Sequence, residues 1–185
     1  MTKLIKIVDE IDVNPILESF YKLESYIQWT DYPTTKQTGL QYRNGNEPWS
    51  DGAGSGLKWP QYESGSSAYS SDNPNLNKTW YENISINPFF KETIFEEIIN
   101  KYDMVRTRLI WVKPFSCYSF HKDTSPRLHL PLITNPQCFF VFKDIPVYHM
   151  SAGNLYWSDT TKPHTFINCS NQPRLHLISL SDFRY

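Results

Sequence analysis

The C-terminal half of the chain is a succession of short segments in which apolar and polar residues alternate, with no helical segment between them. The segments are 105–112, 127–132, 138–142, 154–157, 164–168 and 174–178. A period of two places every second side chain on one face, which is the pattern of a β-strand. Parallel strands need long crossover connections, usually helices, so these strands are expected to pair antiparallel. The sequence therefore predicts a mainly β fold, a sandwich or a barrel.

Two helices are predicted in the N-terminal half, at about 14–27 and 87–103. Each begins with Asn-Pro, which favours asparagine as the N-cap and proline at the first helical position. Apolar residues then recur at helical spacing in both segments. About two helices are therefore expected beside the strands.

Residues 30–77 hold six of the seven glycines together with several prolines and serine clusters, which favours a loop. Long loops in compact domains are commonly functional, so we interpret this one as a lid or wrap on the substrate side. Trp49, Trp59 and Arg43 are its candidate substrate contacts, although packing of the tryptophans onto the strands is equally compatible with the pattern.

The overall charge argues against a polyanionic partner. Eighteen basic and nineteen acidic side chains give a formal net charge of −1, so neither nucleic acid nor an acidic membrane surface is expected to bind. No stretch approaches the roughly 18 apolar residues of a membrane helix, and the N-terminus lacks a signal-peptide core. The three cysteines lack the spacing of a zinc or redox site. A cytoplasmic protein is expected.

His121 and Asp123 are the first candidate metal ligands. In an extended strand they share a face, while Lys122 between them points away. His164 begins a later strand, which a sandwich can bring close to the first pair. Two histidines and one carboxylate on one face of an octahedral ion leave three positions free, the arrangement of non-haem iron(II) oxygenases. This trio is the predicted metal and catalytic site.

Arginines follow both halves of this metal pattern. Arg174, ten residues after His164, begins the next strand and can neutralise the distal carboxylate of a keto acid. Arg127 and His129 share a face of the strand that follows the first ligand pair. His176 and His149 are given no role, because packing accounts for them more economically.

The stretches HKDTSPRLHLPLITNP and PHTFINCSNQPRLHLISL, with a glycine turn at Gly153 between them, resemble the aspartyl/asparaginyl β-hydroxylase family over roughly residues 105–180. The resemblance implies a double-stranded β-helix, the cupin-like jelly roll. It also implies iron(II) at the histidine pair, 2-oxoglutarate held by Arg174, and O2 as the oxidant. The Arg-x-His element of the family, a further co-substrate contact, falls on Arg127 and His129.

Taken together, residues 1–185 are expected to form a single oxygenase domain, with helices and loop on the substrate side in 1–104 and a jelly-roll core with the metal site in 105–185. The implied activity is that of an iron(II)- and 2-oxoglutarate-dependent dioxygenase. Its substrate is open: an Asp or Asn side chain of a protein or peptide, or a small molecule. Two alternatives are a metal-binding cupin with non-oxidative chemistry and a non-catalytic binding module.

Overall fold

The structure is a computed structural model that describes residues 4–51, 81–123, 125–143 and 146–181. Trp59 and residues 52–77 of the predicted loop lie outside these ranges. The helices are α1 (Asn14–Leu23) and α2 (Ile94–Lys101). The strands are β1 (Ile5–Glu10), β2 (Thr30–Asp31), β3 (Thr35–Gly39), β4 (Gln41–Tyr42), β5 (Ser85–Ile86), β6 (Val105–Val112), β7 (Ser116–Cys117), β8 (Arg127–Ile133), β9 (Cys138–Phe142), β10 (Asn154–Ser158), β11 (His164–Asn168) and β12 (Arg174–Leu180).

The strands form two main antiparallel sheets. The large sheet has the order β1-β10-β8-β12-β6-β3-β2, and the small sheet has the order β7-β11-β9. A third sheet pairs β4 with β5. The six strands predicted from alternation are all present, and their ends differ from the prediction by at most two residues. The mainly β prediction is confirmed.

Each face of the large sheet has its own apolar cluster. On the outer face, Leu175 and Leu177 of β12 pack with the buried residues of α1 and α2. On the inner face, Ile110 and Val112 of β6 pack with Phe166 and other residues of the small sheet. The alternation along β12 therefore turns Arg174 and His176 inward, between the two sheets.

The two helices cover the outer face of the large sheet, the face away from the predicted metal site. Their assignment to the substrate side stays a prediction. The helices are ten and eight residues long. Neither of these helices, the ones found in the described ranges, is long and apolar enough to cross a membrane.

The prediction that residues 30–77 form a loop is wrong for part of residues 30–51, because this segment contains β2, β3 and β4. β3 pairs with β6 in the large sheet, and β1 pairs with β10 at the opposite edge. The sequence of β3, TKQTG, is polar although mostly buried, so apolar periodicity gives no signal there. The large sheet therefore includes strands from residues 1–104 as well as from the predicted jelly-roll core of residues 105–185.

The helix boundaries follow the capping groups. Asn87 accepts a hydrogen bond from the Phe89 backbone N–H, but it caps only a short 3-10 turn, Pro88–Phe90. Glu92 then adopts a φ of 58°, and Thr93 caps α2. The second predicted helix is therefore broken in two. The predicted N-cap at Asn14 is wrong too, since α1 begins at that residue without a side-chain cap.

Gly153 opens β10 at a position that excludes a side chain. Its φ is +84°, and a Cβ there would lie 3.1 Å from the Ile11 carbonyl oxygen. Gly153→Ala is expected to lower the free energy of unfolding by about 2 kcal/mol, since a left-handed backbone alone costs an L-residue about 1–2 kcal/mol and the contact adds to it. Urea unfolding measures this loss.

Gly45→Ala is the matched control, because Gly45 has a φ of +87° but nothing within 4 Å of the added Cβ. Gly45→Ala is expected to lower the free energy of unfolding by about 1 kcal/mol, the cost of the left-handed backbone alone. Equal losses in both variants would show that the crowding at Gly153 is relieved by a small backbone shift.

Candidate metal centre

His121 and His164 face each other across a two-residue antiparallel bridge. The His121 N–H donates to the His164 carbonyl at 3.0 Å, and the His164 N–H donates to the His121 carbonyl at 2.9 Å. The two imidazole rings lie on the same side, with centroids 4.4 Å apart. The predicted pair of histidines is thus brought together by backbone pairing, before any ion is considered.

Asp123 completes the cluster from the same segment. Its backbone N–H donates to the Thr160 carbonyl at 2.8 Å, which anchors the residue beside the start of β11. Asp123 Oδ2 lies 3.9 Å from His164 Nε2, and the ligand atoms of the three residues all lie within 4.8 Å of one another. Lys122 is exposed, as the strand pattern predicts.

Both histidines present the same ring nitrogen to the cluster. The Nδ1 atoms of His121 and His164 lie 2.9 Å from the carbonyls of Ser119 and Lys162. A carbonyl only accepts, so each Nδ1 carries a proton, and in the neutral ring Nε2 is the nitrogen with a lone pair for an ion. Such outer contacts orient metal-binding histidines and fix their tautomer.

The charge states also suit a cation. Burial raises the pKa of Asp123, but Arg127 and His164 outweigh it and lower that pKa to about 2. Burial lowers the pKa of His164 to about 4, against the attraction of Asp123. At neutral pH the site therefore offers one carboxylate and a neutral His164 imidazole, so no proton on either group competes with the ion.

An aromatic wall holds His164 in place. The Phe140 ring stacks on it at 5.3 Å and the Phe142 ring lies at 5.9 Å. Both phenylalanines come from β9, the neighbour of β11 in the small sheet. His164 is buried, whereas His121 and Asp123 are half-buried. The metal cluster is therefore lined by apolar rings on the β9 side and is partly exposed to solvent at His121 and Asp123.

Arg174 is buried in the inner layer, as the strand pattern predicts. Its guanidinium carbon lies 3.6 Å from the centroid of the Phe166 ring, and its Nη2 lies 2.6 Å from His176 Nδ1. Its Nε has no hydrogen-bond partner among the described residues. Burial lowers the pKa of Arg174 well below its usual value. A buried cation without a carboxylate is costly and fits an anionic ligand.

His129 lies in the same layer, and neither of its ring nitrogens has a hydrogen-bond partner among the described residues. Its ring is 5.4 Å from Phe140 and 6.2 Å from His176. Because Phe140 touches both His129 and His164, it joins this polar cluster to the metal cluster. Burial and the nearby Arg174 lower the pKa of His129, which keeps its imidazole neutral.

Arg127 is placed differently from the other predicted co-substrate contacts. Its Nε lies 3.2 Å from Asp123 Oδ2, and its Nη1 donates to the Ser125 carbonyl at 3.1 Å. This guanidinium therefore supports a metal ligand. A direct contact of Arg127 with the co-substrate stays a prediction.

Two side chains of this layer were missed by the sequence argument. His176 contacts Arg174, although packing was thought to explain it. Arg108 of β6 lies on the inner face, in line with Ile178 and His129 across the sheet. Burial and the nearby Arg127 lower the pKa of Arg108 to about 10. An arginine or histidine on the face that the apolar residues of a strand predict to be buried is the signal that could have found them.

The contacts of Trp49 and Arg43 lie away from the metal cluster. Trp49 packs against Phe89 at 5.2 Å in the outer cluster, and Arg43 pairs with Asp51. Packing, the alternative left open for the tryptophans, is what the structure shows for Trp49.

The donor set fits a divalent transition-metal ion, because two imidazoles and one carboxylate form the trio preferred by non-haem iron(II). The second cluster fits an anion. Arg174, His129 and His176 are buried together, and each keeps at least one nitrogen without a partner in the described part of the chain. The metal cluster and the anion cluster are neighbours in the inner layer, joined by the Phe140 ring.

The comparison with solved structures concerns the fold. An oxidoreductase of the 2OG-Fe(II) oxygenase family from Burkholderia pseudomallei superposes with a TM-score of 0.54 at 10% sequence identity. The match covers 96% of this chain and 83% of that protein. The antiparallel layers described above are thus those of a jelly roll, and the fold prediction is confirmed.

A curated relative matches part of the sequence. L-proline cis-4-hydroxylase of Rhizobium meliloti (strain 1021) is 36% identical over 78 residues. The match covers 39% of this chain but only 28% of the relative. This chain therefore aligns with less than a third of the length of that hydroxylase.

A protein-family model described as Aspartyl/Asparaginyl beta-hydroxylase matches residues 87–182, just over half of the 185 residues. The matched range contains His121, Asp123, His164 and Arg174. The chain therefore belongs to the aspartyl/asparaginyl beta-hydroxylase family, whose members are hydroxylases.

Proposed function

We propose that this protein is an iron(II)- and 2-oxoglutarate-dependent dioxygenase that hydroxylates a small, carboxylate-bearing molecule. One observation carries the proposal: Phe140 packs against both His164 of the metal cluster and His129 of the anion cluster, in which the buried Arg174 has no carboxylate partner among the described residues. A metal protein without an anionic co-substrate has no use for Arg174 in that position. This is the reason to prefer an oxygenase to a non-oxidative cupin or a binding module.

The division of roles follows from the two clusters. His121, Asp123 and His164 would hold iron(II), and Arg174 with His129 would hold the distal carboxylate of 2-oxoglutarate. Together with O2, the bound metal and co-substrate supply the oxidising power, and the co-substrate leaves as succinate and carbon dioxide.

The protein itself binds and orients the ligands and excludes water from them. Arg127 keeps Asp123 ionised and aimed by its 3.2 Å ion pair. Phe140, Phe142 and Phe166 supply apolar walls around His164 and Arg174. A low-polarity cavity strengthens each charged contact within it. No proton-transferring side chain is required by this assignment.

The basic inner face supports the choice of an anionic substrate. Burial and the repulsion of the Arg127 charge lower the pKa of Arg108, and the Asp123 carboxylate opposes this shift. A second carboxylate bound beside the co-substrate would balance these charges. The name of the partial relative, L-proline cis-4-hydroxylase, supports a free amino acid. The family description supports instead an Asp or Asn side chain, which is the second candidate.

The first test is spectroscopic. Iron(II) and 2-oxoglutarate added without oxygen are expected to give a weak visible charge-transfer band, because a keto acid chelates the iron. Admission of O2 is expected to yield succinate slowly without substrate. If neither the band nor succinate forms, the proposed function is wrong.

A second test separates the two substrate candidates. Succinate formation is measured with free L-amino acids, L-proline among them, and with peptides that contain Asp or Asn. We expect free carboxylate-bearing molecules to accelerate succinate formation at least about tenfold and to gain one oxygen atom by mass spectrometry. Acceleration by the peptides alone would favour the second candidate.

A further inference from the structure

The contact between Arg174 and His176 has a defined direction. Guanidinium nitrogens only donate, so the 2.6 Å contact runs from Arg174 Nη2–H to the lone pair of His176 Nδ1. The His176 imidazole therefore carries its proton on Nε2. Both residues are buried in the inner layer. Burial and the neighbouring Arg174 lower the pKa of His176, in agreement with a neutral ring.

Two contacts together fix the guanidinium. The Phe166 ring lies against its flat face, with the guanidinium carbon 3.6 Å from the ring centroid. Stacking of this kind fixes the plane but leaves rotation within the plane free. The hydrogen bond to His176 removes that rotation. A planar fork that must meet both oxygens of a carboxylate needs both constraints.

No other described group does this work. Among the residues that the structure describes, His176 is the one hydrogen-bond partner of the Arg174 side chain. The cross-strand neighbours of His176 are Ile110 and Pro131, which offer no polar side-chain atom.

Packing alone does not explain a histidine at this position. His176 Nε2 is buried and has no partner in the described part of the chain, which costs free energy in the empty protein. The next inward residue of β12, Ile178, shows that an apolar side chain suits this face. A residue that lowers stability here is explained if it serves a ligand.

We infer that His176 is a positioning residue for the co-substrate: by accepting from Arg174 Nη2, it sets the guanidinium edge that meets the distal carboxylate of 2-oxoglutarate. The inference rests on the proposed function and extends it to a residue that the family resemblance did not assign. His176 acts through Arg174 and through Nδ1.

Two substitutions separate an acceptor from a packing residue. In His176→Asn, the amide oxygen occupies nearly the place of Nδ1 and still accepts from Arg174. In His176→Phe, the ring remains and the acceptor is lost. We expect 2-oxoglutarate to bind the nickel-loaded protein at least about tenfold more weakly in His176→Phe, and within about threefold of wild type in His176→Asn. Titration calorimetry measures both.

Two further readouts exclude a general structural effect. Nickel affinity is expected to be unchanged in both variants, because His176 does not touch the metal ligands. In turnover, His176→Phe is expected to raise KM for 2-oxoglutarate about tenfold, with kcat within about threefold of wild type. His149→Phe is the matched control, since that half-buried histidine contacts the Cys138 carbonyl and is not a hydrogen-bond partner of Arg174 among the described residues. It should leave 2-oxoglutarate affinity unchanged.

The inference is overturned if His176→Phe binds 2-oxoglutarate like wild type, or if His176→Asn loses as much affinity as His176→Phe. His176→Leu replaces the phenylalanine variant if thermal unfolding shows that the latter is misfolded. If wild type binds metal but no 2-oxoglutarate, the proposed function fails and the inference with it. If wild type binds both, equal binding by the variants removes only the role of His176.

Discussion

His164→Ala is expected to abolish the iron(II) site. Its imidazole is the most buried of the three candidate ligands. Apart from His121, itself a candidate ligand, the rings packed around it belong to Phe140 and Phe142, which have no donor atom to replace it. Loss of a supporting contact around a metal ligand typically costs about 10–100-fold in affinity. Loss of the ligand itself should therefore exceed about 100-fold. Titration with iron(II) without oxygen, or with nickel(II), measures the loss.

The control is His149→Ala, which removes a half-buried histidine outside the trio. It should bind metal within about threefold of wild type. Succinate formation should fall below detection in His164→Ala and persist in the control. A His164→Ala variant that still binds the ion within tenfold of wild type would place the metal elsewhere.

The fold was predictable where the sequence pattern reports burial directly. β6 and β12 alternate because each has one face against the helices and the other against the small sheet. β3 escaped prediction because its buried residues are threonine, glutamine and glycine. Such residues satisfy hydrogen bonds instead of adding apolar area, as in the contact of Gln37 with Thr35. Hydrophobic periodicity cannot detect a strand of that kind.

The metal trio was predictable because spacing fixes geometry within an extended segment. Side chains at i and i+2 of such a segment share a face, and His121 and Asp123 come together in this way although the structure forms only an isolated bridge at His121. Their meeting with His164 depends on a backbone bridge between segments far apart in sequence. His164 was a candidate partner because it begins a later strand, but the pattern of strands alone did not specify the register.

The side-chain contacts that hold the predicted residues in place could not be predicted from the sequence. Arg127 shares a face with His129, yet its guanidinium reaches back to Asp123 and the Ser125 carbonyl. His176 shares a face with Arg174, yet sequence spacing cannot tell a packed imidazole from one that accepts a hydrogen bond. Both questions depend on side-chain torsions, which local sequence does not determine.

Arg174→Met should separate co-substrate binding from metal binding. Methionine keeps an apolar stem of similar length against the Phe166 ring but removes the charge and the hydrogen-bond donors. Truncating one partner of a buried, hydrogen-bonded charge pair costs about 2–5 kcal/mol. We therefore expect 2-oxoglutarate affinity to fall at least about 30-fold, with metal affinity within about threefold of wild type. Calorimetric titrations with nickel, and then with 2-oxoglutarate, measure the two affinities separately.

Arg174→Lys is the matched variant, because it keeps the charge and loses the planar fork. It should lie between wild type and Arg174→Met in 2-oxoglutarate affinity, since a point charge cannot form two parallel hydrogen bonds. Equal losses of metal and 2-oxoglutarate affinity in Arg174→Met would contradict the assignment of separate roles to the two clusters.

Arg174→Met is expected to weaken 2-oxoglutarate binding without lowering the stability of the empty protein. In the empty protein, Arg174 is a buried cation whose Nε has no partner among the described residues, and replacing such a charge by an apolar side chain is often neutral or stabilising. Without ligand, Arg174→Met should therefore melt at a temperature no lower than wild type. With 2-oxoglutarate at about 100 times its Kd, wild type should gain about 2.7 kcal/mol of stability and the variant almost none. A variant that is less stable when empty, and is still stabilised by 2-oxoglutarate, would show that Arg174 serves the fold and that the carboxylate binds elsewhere.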